Sequence, residues 1–145
     1  MSELDDFLSE VLPRLVAAEE AIHNGDPGLR SDMWSTRDPV SLFGAFGPSN
    51  SGWDEVRRTF RWVASRFSNC TTYRFELLAA GASGNLAYTV GYEHATRSID
   101  GGPVEPGVLR VTHVYRREDS EWKIVHRHGD NPPVDQSLPA HGAAE

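Results

Sequence analysis

The sequence predicts an α+β domain with its helices gathered in the first half and long antiparallel strands in the second. Apolar residues recur at steps of three and four up to Phe67 and at steps of two after Asn69. No helical stretch separates the later strands, as the crossovers of a parallel sheet would require. The 145 residues suffice for one domain with a real core. The single Cys70 excludes an internal disulfide and any Cys-rich zinc site.

In chain order, Phe7, Val11, Leu15, Ala18 and Ile22 form a helical stripe, with Gly25 placed to end it in a left-handed cap. Pro13 falls inside that stripe, where it either kinks the helix or opens its main part. Asp26-Pro27 reads as N-cap and first residue of a short second helix through Met33-Trp34. Pro39 to Phe43 reads as a short strand. Gly44 to Gly52 reads as a connecting loop without the lysine of a phosphate loop. Ser51 is the expected N-cap of a third helix, whose buried face carries Trp53, Val56, Phe60, Val63, Ala64 and Phe67. Four strands follow, separated by turns at Gly81-Ala82-Ser83-Gly84, Asp100-Gly101-Gly102-Pro103 and Glu118-Asp119-Ser120-Glu121.

Fourteen Lys and Arg against 21 Asp and Glu give a net charge of −7. Such a field repels phosphate backbones and anionic membranes, so neither nucleic acid nor membrane is an expected partner. No apolar run approaches the roughly 20 residues that span a bilayer, and the acidic start Met1 to Asp6 is unlike a signal peptide. A cytoplasmic location is expected. One domain is expected over residues 1–131, with 132–145 as a loose tail or exchange arm, since that stretch lacks periodicity.

Strand alternation supplies the candidate site. His113 shares a face with Leu109, Val111 and Tyr115, and His126 and His128 share one with Trp122 and Ile124. If both faces turn inward, three imidazoles converge on one cavity as general bases or acids near neutral pH. Asp130 has the parity to orient one of them, as in a His-Asp dyad. Leu86, Tyr88, Val90, Tyr92 and His94 are placed inside by the same rule, and Glu93 outside. No carboxylate stands where a His-x-His metal strand would need one, so no metal is expected.

The element order resembles that of a known family when combined with particular runs: His23-Asn24-Gly25-Asp26, Asp38 to Gly44, Gly52 to Val56, Tyr88 to Glu93, Tyr115 to Asp119, and Trp122 to His128. The family is the SnoaL-like group of the ketosteroid-isomerase superfamily, which has the nuclear-transport-factor-like cone. The closing strand is also similar to that of the calcium/calmodulin-dependent kinase association domain. The resemblance implies a cone-shaped half-barrel, three helices packed in a strongly curved, mostly antiparallel sheet around a central pocket. It implies a small, largely apolar organic ligand. For an enzyme it implies isomerisation, cyclisation, hydration or hydrolysis by acid/base chemistry without an organic cofactor. Trp34, Phe43 and Trp53 would be pocket walls near the cone mouth, joined by Tyr88, Tyr92, His94 and Tyr115. The base, tyrosine and oxyanion acid of the steroid isomerases fall at about Phe43, Ala18, and Val111 or Thr112, so steroid isomerisation is not expected. The rival reading is a non-catalytic association module. In either case a homodimer is expected through an outer sheet face of Thr89, Gly91, Arg110, Thr112, Val114, Val125 and Arg127.

Overall fold

The computed structural model describes residues 2–137. Helix α1 spans Glu3–Ile22 without interruption, with Pro13 inside it. Its start is fixed by a capping box in which Ser2 and Asp5 exchange side-chain and backbone bonds. The expected stripe of Phe7, Val11, Leu15, Ala18 and Ile22 is wholly buried, and Gly25 takes φ +91°. Helix α2 spans Gly28–Met33, and Asp26 Oδ1 accepts the Gly28 N–H at 2.9 Å.

Strands β1 (Ser41–Phe43) and β2 (Ser49–Ser51) form an antiparallel pair, so the expected loop holds a small hairpin. Helix α3 spans Trp53–Arg66. Its N-cap is Gly52 at φ +93°, one residue later than Ser51. The cap bond comes from outside the helix, because Asp38 Oδ1 accepts the Trp53 N–H at 3.0 Å. The long strands are β3 (Phe67–Ser83), β4 (Leu86–Ile99), β5 (Glu105–Glu118) and β6 (Glu121–Asp130).

The sheet runs in the order β2-β1-β6-β5-β4-β3, antiparallel except where β1 lies parallel to β6. It is curved and unclosed, and the three helices fill its concave side. The core there joins Phe7, Leu15, Trp34, Phe60, Tyr115, Trp122 and Ile124, with Phe7 edge-on to both Tyr115 and Trp122.

Two bulges decide which side chains face that core. In β6, Val114 pairs with His126 but Tyr115 pairs with Ile124, which leaves Val125 as an extra residue. Parity therefore reverses along the strand: Trp122 and Ile124 face inward, and beyond the bulge so do Arg127 and Gly129. In β3, Leu77 pairs with Gly91 and Ala79 with Val90, so Leu78 is the extra residue. At Gly91 the facing strand is so close that a Cβ would lie 2.3 Å from the Glu76 carbonyl oxygen.

Strand β4 is inverted relative to the expectation. Register with β5 sets Ala87 opposite Tyr115, Thr89 opposite His113 and Gly91 opposite Val111, so the small residues face inward. A concave face covered by helices has little room, and Ala, Thr and Gly fit where Tyr88 and Tyr92 do not. Thr89, Gly91, Glu93 and Arg127, expected outside, are thus inside. Residues 138–145, the greater part of the expected tail, lie outside the described residues.

Candidate functional site

The inner face of the sheet carries a chain of buried charges. Arg127 places both terminal nitrogens on Glu93, Nη1 to Oε2 and Nη2 to Oε1, each at 2.9 Å. Its Nη1 also donates to His113 Nε2 at 3.2 Å and lies 3.5 Å from Glu19 Oε1. Glu19, from α1, is held in turn by Arg30 of α2 through a two-pronged contact, with Nε to Oε2 at 2.8 Å. Tyr73 of β3 donates its hydroxyl to Glu93 Oε2 at 3.0 Å. Glu19, Glu93, His113 and Arg127 are all at most 5% exposed.

Burial pushes the Glu93 carboxyl up, but the Arg127 guanidinium and its hydrogen bonds outweigh this and hold it well below the usual range. Arg127 is correspondingly raised, since Glu93 and Glu19 more than offset its desolvation. Two carboxylates and two guanidiniums therefore form a neutral buried network. Burial, with Arg127 adding to it, drives His113 well below 6.5, so that ring is neutral. Because its Nε2 accepts from Arg127, its proton sits on Nδ1, a buried atom without a protein partner.

His23 ends α1 beside this network. Its Nδ1 donates to the Glu19 carbonyl at 2.6 Å, which assigns the ring proton to Nδ1 and leaves Nε2 with a free lone pair. Burial lowers its pKa, against the opposing pull of Glu19 and Glu93. The ring packs on Phe67 and Tyr73 at centroid distances of 4.7 and 5.7 Å. It lines two adjoining cavities at the cone mouth. One, of about 40 Å³, also touches Arg30, Leu42, Val63 and Arg127. The other, of about 90 Å³, touches Glu93, Arg97, Ile99, Gly107 and Asn131. Phe46, from the turn between β1 and β2, closes over both, resting on Phe67 at 5.5 Å.

This is a different set from the one alternation predicts. His113 is inside, as expected. His126 and His128 lie beyond the Val125 bulge and face the convex side, where their rings flank Phe43 at 5.1 and 5.4 Å. His126 Nδ1 lies 2.7 Å from Ser41 Oγ, and His128 is exposed. Asp130 also faces outward and pairs with Arg110 through two bonds of 2.7 Å, orienting no histidine. The three imidazoles do not converge.

The expected walls also move. Trp34 is buried in the core against Phe60, Tyr115 is wholly buried against Phe7, and Trp53 packs at the core's edge. Phe43 is 45% exposed on the outer face. Tyr88 and Tyr92 are outward, and His94 Nε2 lies 2.9 Å from Glu76 there. None of these lines the two cavities. Of their polar residues, Glu93 and Arg127 are expected on the outer face, and alternation gives no signal for His23, Arg30, Arg97 or Asn131. One signal was available for Arg127: adjacent Ile124 and Val125 break apolar/polar alternation at the bulge. Among the described residues no group of three or more His, Cys, Asp or Glu is arranged to hold a metal ion.

Family models compared with the chain give one decisive match, a SnoaL-like domain over residues 11–134. The chain belongs to the SnoaL-like domain family. No curated protein matches it. Among solved structures, this SnoaL-like chain is similar to a candidate dehydratase of the NTF2-like family from Streptomyces avermitilis. They share 25% identity and a TM-score of 0.71 over 90% of this chain and 99% of that one. An NTF2-like protein of unknown function from Pseudomonas putida gives 18% identity and TM-score 0.70, covering 91% and 90%. A candidate calcium/calmodulin-dependent protein kinase type II association domain from Thiobacillus denitrificans gives 14% and 0.65, covering 82% and 88%. The α+β cone of the SnoaL-like domain is thus the expected one. Among the described residues it has no helix long and apolar enough to cross a membrane.

Proposed function

We propose that this SnoaL-like domain is an acid/base enzyme that removes water from, or adds it to, a small organic molecule at the cone mouth, with His23 as the proton carrier. The observation that carries this reading is a neutral, buried imidazole. Its Nδ1–H is pinned to the Glu19 carbonyl, and its Nε2 has no protein partner among the described residues. In the dehydrating direction Nε2 takes the proton from the carbon next to an activating carbonyl. The released electron pair forms the C=C bond as the neighbouring C–O bond breaks. The departing hydroxide collects the proton from Nε2 and leaves as water, which returns His23 to its starting state. The buried Arg30–Glu19–Arg127–Glu93–Tyr73 chain positions the ring and one cavity wall. The Streptomyces protein, a candidate dehydratase, is consistent with this reaction class.

The cavities together approach the ~150 Å³ that holds a benzene molecule in an engineered core, so the substrates are small. The experiment offers crotonate, crotonamide and 3-penten-2-one in oxygen-18-labelled water and follows, by mass spectrometry, label uptake as the 3-hydroxy (for the ketone, 4-hydroxy) adduct formed by adding water across the C=C bond. Uptake into at least one of them supports the reading. No uptake above the protein-free rate in any of them, anionic or neutral, contradicts it.

A second proposal concerns assembly. The convex face exposes Leu78, Leu86 and Tyr88, and Leu86, Tyr88, Ala82 and Val114 line an open apolar groove. We propose that this face joins two copies of the chain, since exposed apolar area of this kind marks interfaces. Of the residues expected there, Arg110, Thr112 and Val114 remain candidates. Sedimentation at micromolar protein is expected to give twice the monomer mass, and the monomer mass would contradict it.

A further inference from the structure

Arg97 stands apart from the other arginines of the two cavities. Arg30 and Arg127 are each matched by a carboxylate, whereas Arg97 has none among the described residues. Its Nη1 donates to the Glu105 carbonyl at 3.1 Å, and its Cζ lies 5.7 Å from the centre of the Phe67 ring. The guanidinium also lies against Gly107, where a Cβ would come within 2.5 Å of Nη2 and 2.7 Å of Cζ. Glycine at 107 is therefore what allows the group to lie where it does. Arg97 and Asn131 line the same cavity as His23, between Phe46, Phe67, Ala95, Ile99 and Leu109.

The charge arithmetic is local. Glu19 and Glu93 cancel Arg30 and Arg127, which leaves one uncompensated positive charge beside apolar walls. A monoanion with a short hydrocarbon body completes such a site, and a planar carboxylate matches the fork of a guanidinium. We infer that the ligand of the two adjoining cavities is a small monocarboxylic acid of about six non-hydrogen atoms, its carboxylate on Arg97 and Asn131 and its reacting carbon toward His23. This inference rests on reading the cone mouth as the functional site, and it assigns that site a substrate class.

The test measures binding by calorimetry for crotonate, isobutyrate and cyclopropanecarboxylate, each beside its own amide, with inorganic phosphate as a second anion. The wild-type chain is compared with Arg97→Gln and Gly107→Ala. In Gly107→Ala the new methyl meets only the end of a flexible side chain, so it keeps the fold and displaces the guanidinium. The expected result is that at least one acid binds roughly tenfold or more tightly than its amide and than phosphate. Both variants are expected to lose that preference while keeping the wild-type melting temperature within a few degrees. Equal binding of acid and amide, tighter binding of phosphate, or an unchanged preference in both variants would overturn the inference. Arg97-dependent acid binding without turnover of any probe leaves this inference standing and counts against the proposed reaction. Turnover with the amide or ketone favoured over the acid does the reverse.

Discussion

Replacing Arg127 with methionine is expected to destabilise the protein by about 3–5 kcal/mol, because it strands a buried carboxylate. Glu93 is 2% exposed and would keep only the Tyr73 hydroxyl as a partner. His113 Nε2 would lose its donor at the same time. In a chain of this size such a loss lowers the melting temperature by roughly 10 °C or more. Glu93→Leu combined with Arg127→Met removes both charges together and should recover much of the loss, as paired replacements of buried ions do. His128→Ala, one residue away but on the convex face, should cost less than about 1 kcal/mol. Thermal and urea unfolding of the four proteins measure all of this. Equal, small losses for Arg127→Met and His128→Ala would contradict the inward placement of Arg127.

The contrast between those neighbours also shows where the sequence was legible. The stripe of α1, the face of α3 and the inward set of β5 are strongly periodic, and the structure has them as the pattern predicts, except that Phe67, at the end of the helical pattern, opens β3 instead. Strand β4 misleads because its bulkier face, with Leu86, Tyr88, Val90 and Tyr92, is the convex one. Hydrophobicity points those residues inward, but the concave side takes the other face, with the small Ala87, Thr89 and Gly91 under the helices and Glu93 where Arg127 meets it. In β6 a single extra residue at Val125 exchanges His126 and His128 for Arg127, and a one-residue slip reverses every later side chain. Nothing in the sequence around His23 marks it beyond its place in a run that resembles the family. Its role depends on the Glu19 carbonyl and on Phe67 and Tyr73 closing around it, contacts that depend on the tertiary fold.

The second large effect is on catalysis. His23→Gln retains an N–H that can bond the Glu19 carbonyl but has no atom able to accept and return a proton. Turnover of whichever probe wild type converts should fall by about 10²–10⁴-fold. Wild-type activity requires the neutral ring, so it should hold as pH drops through 6.5 and decline only below it, because burial lowers the His23 pKa from that value. The acid limb therefore lies on the acidic side of 6.5. Activity of the variant within tenfold of wild type, or an acid limb centred above 6.5, would remove His23 from the proposed chemistry.

The bulge in β6 carries Arg127 under the sheet to meet His113 and Glu93. Long-range proton–nitrogen correlation spectra of the histidine rings, recorded from pH 8 down to pH 5.5, read this directly. The expected spectrum has His113 neutral throughout, with its proton on Nδ1 and Nε2 acting as acceptor. A His113 ring that carries its proton on Nε2, or that titrates near 6.5 like a solvated imidazole, would mean that Arg127 is not there.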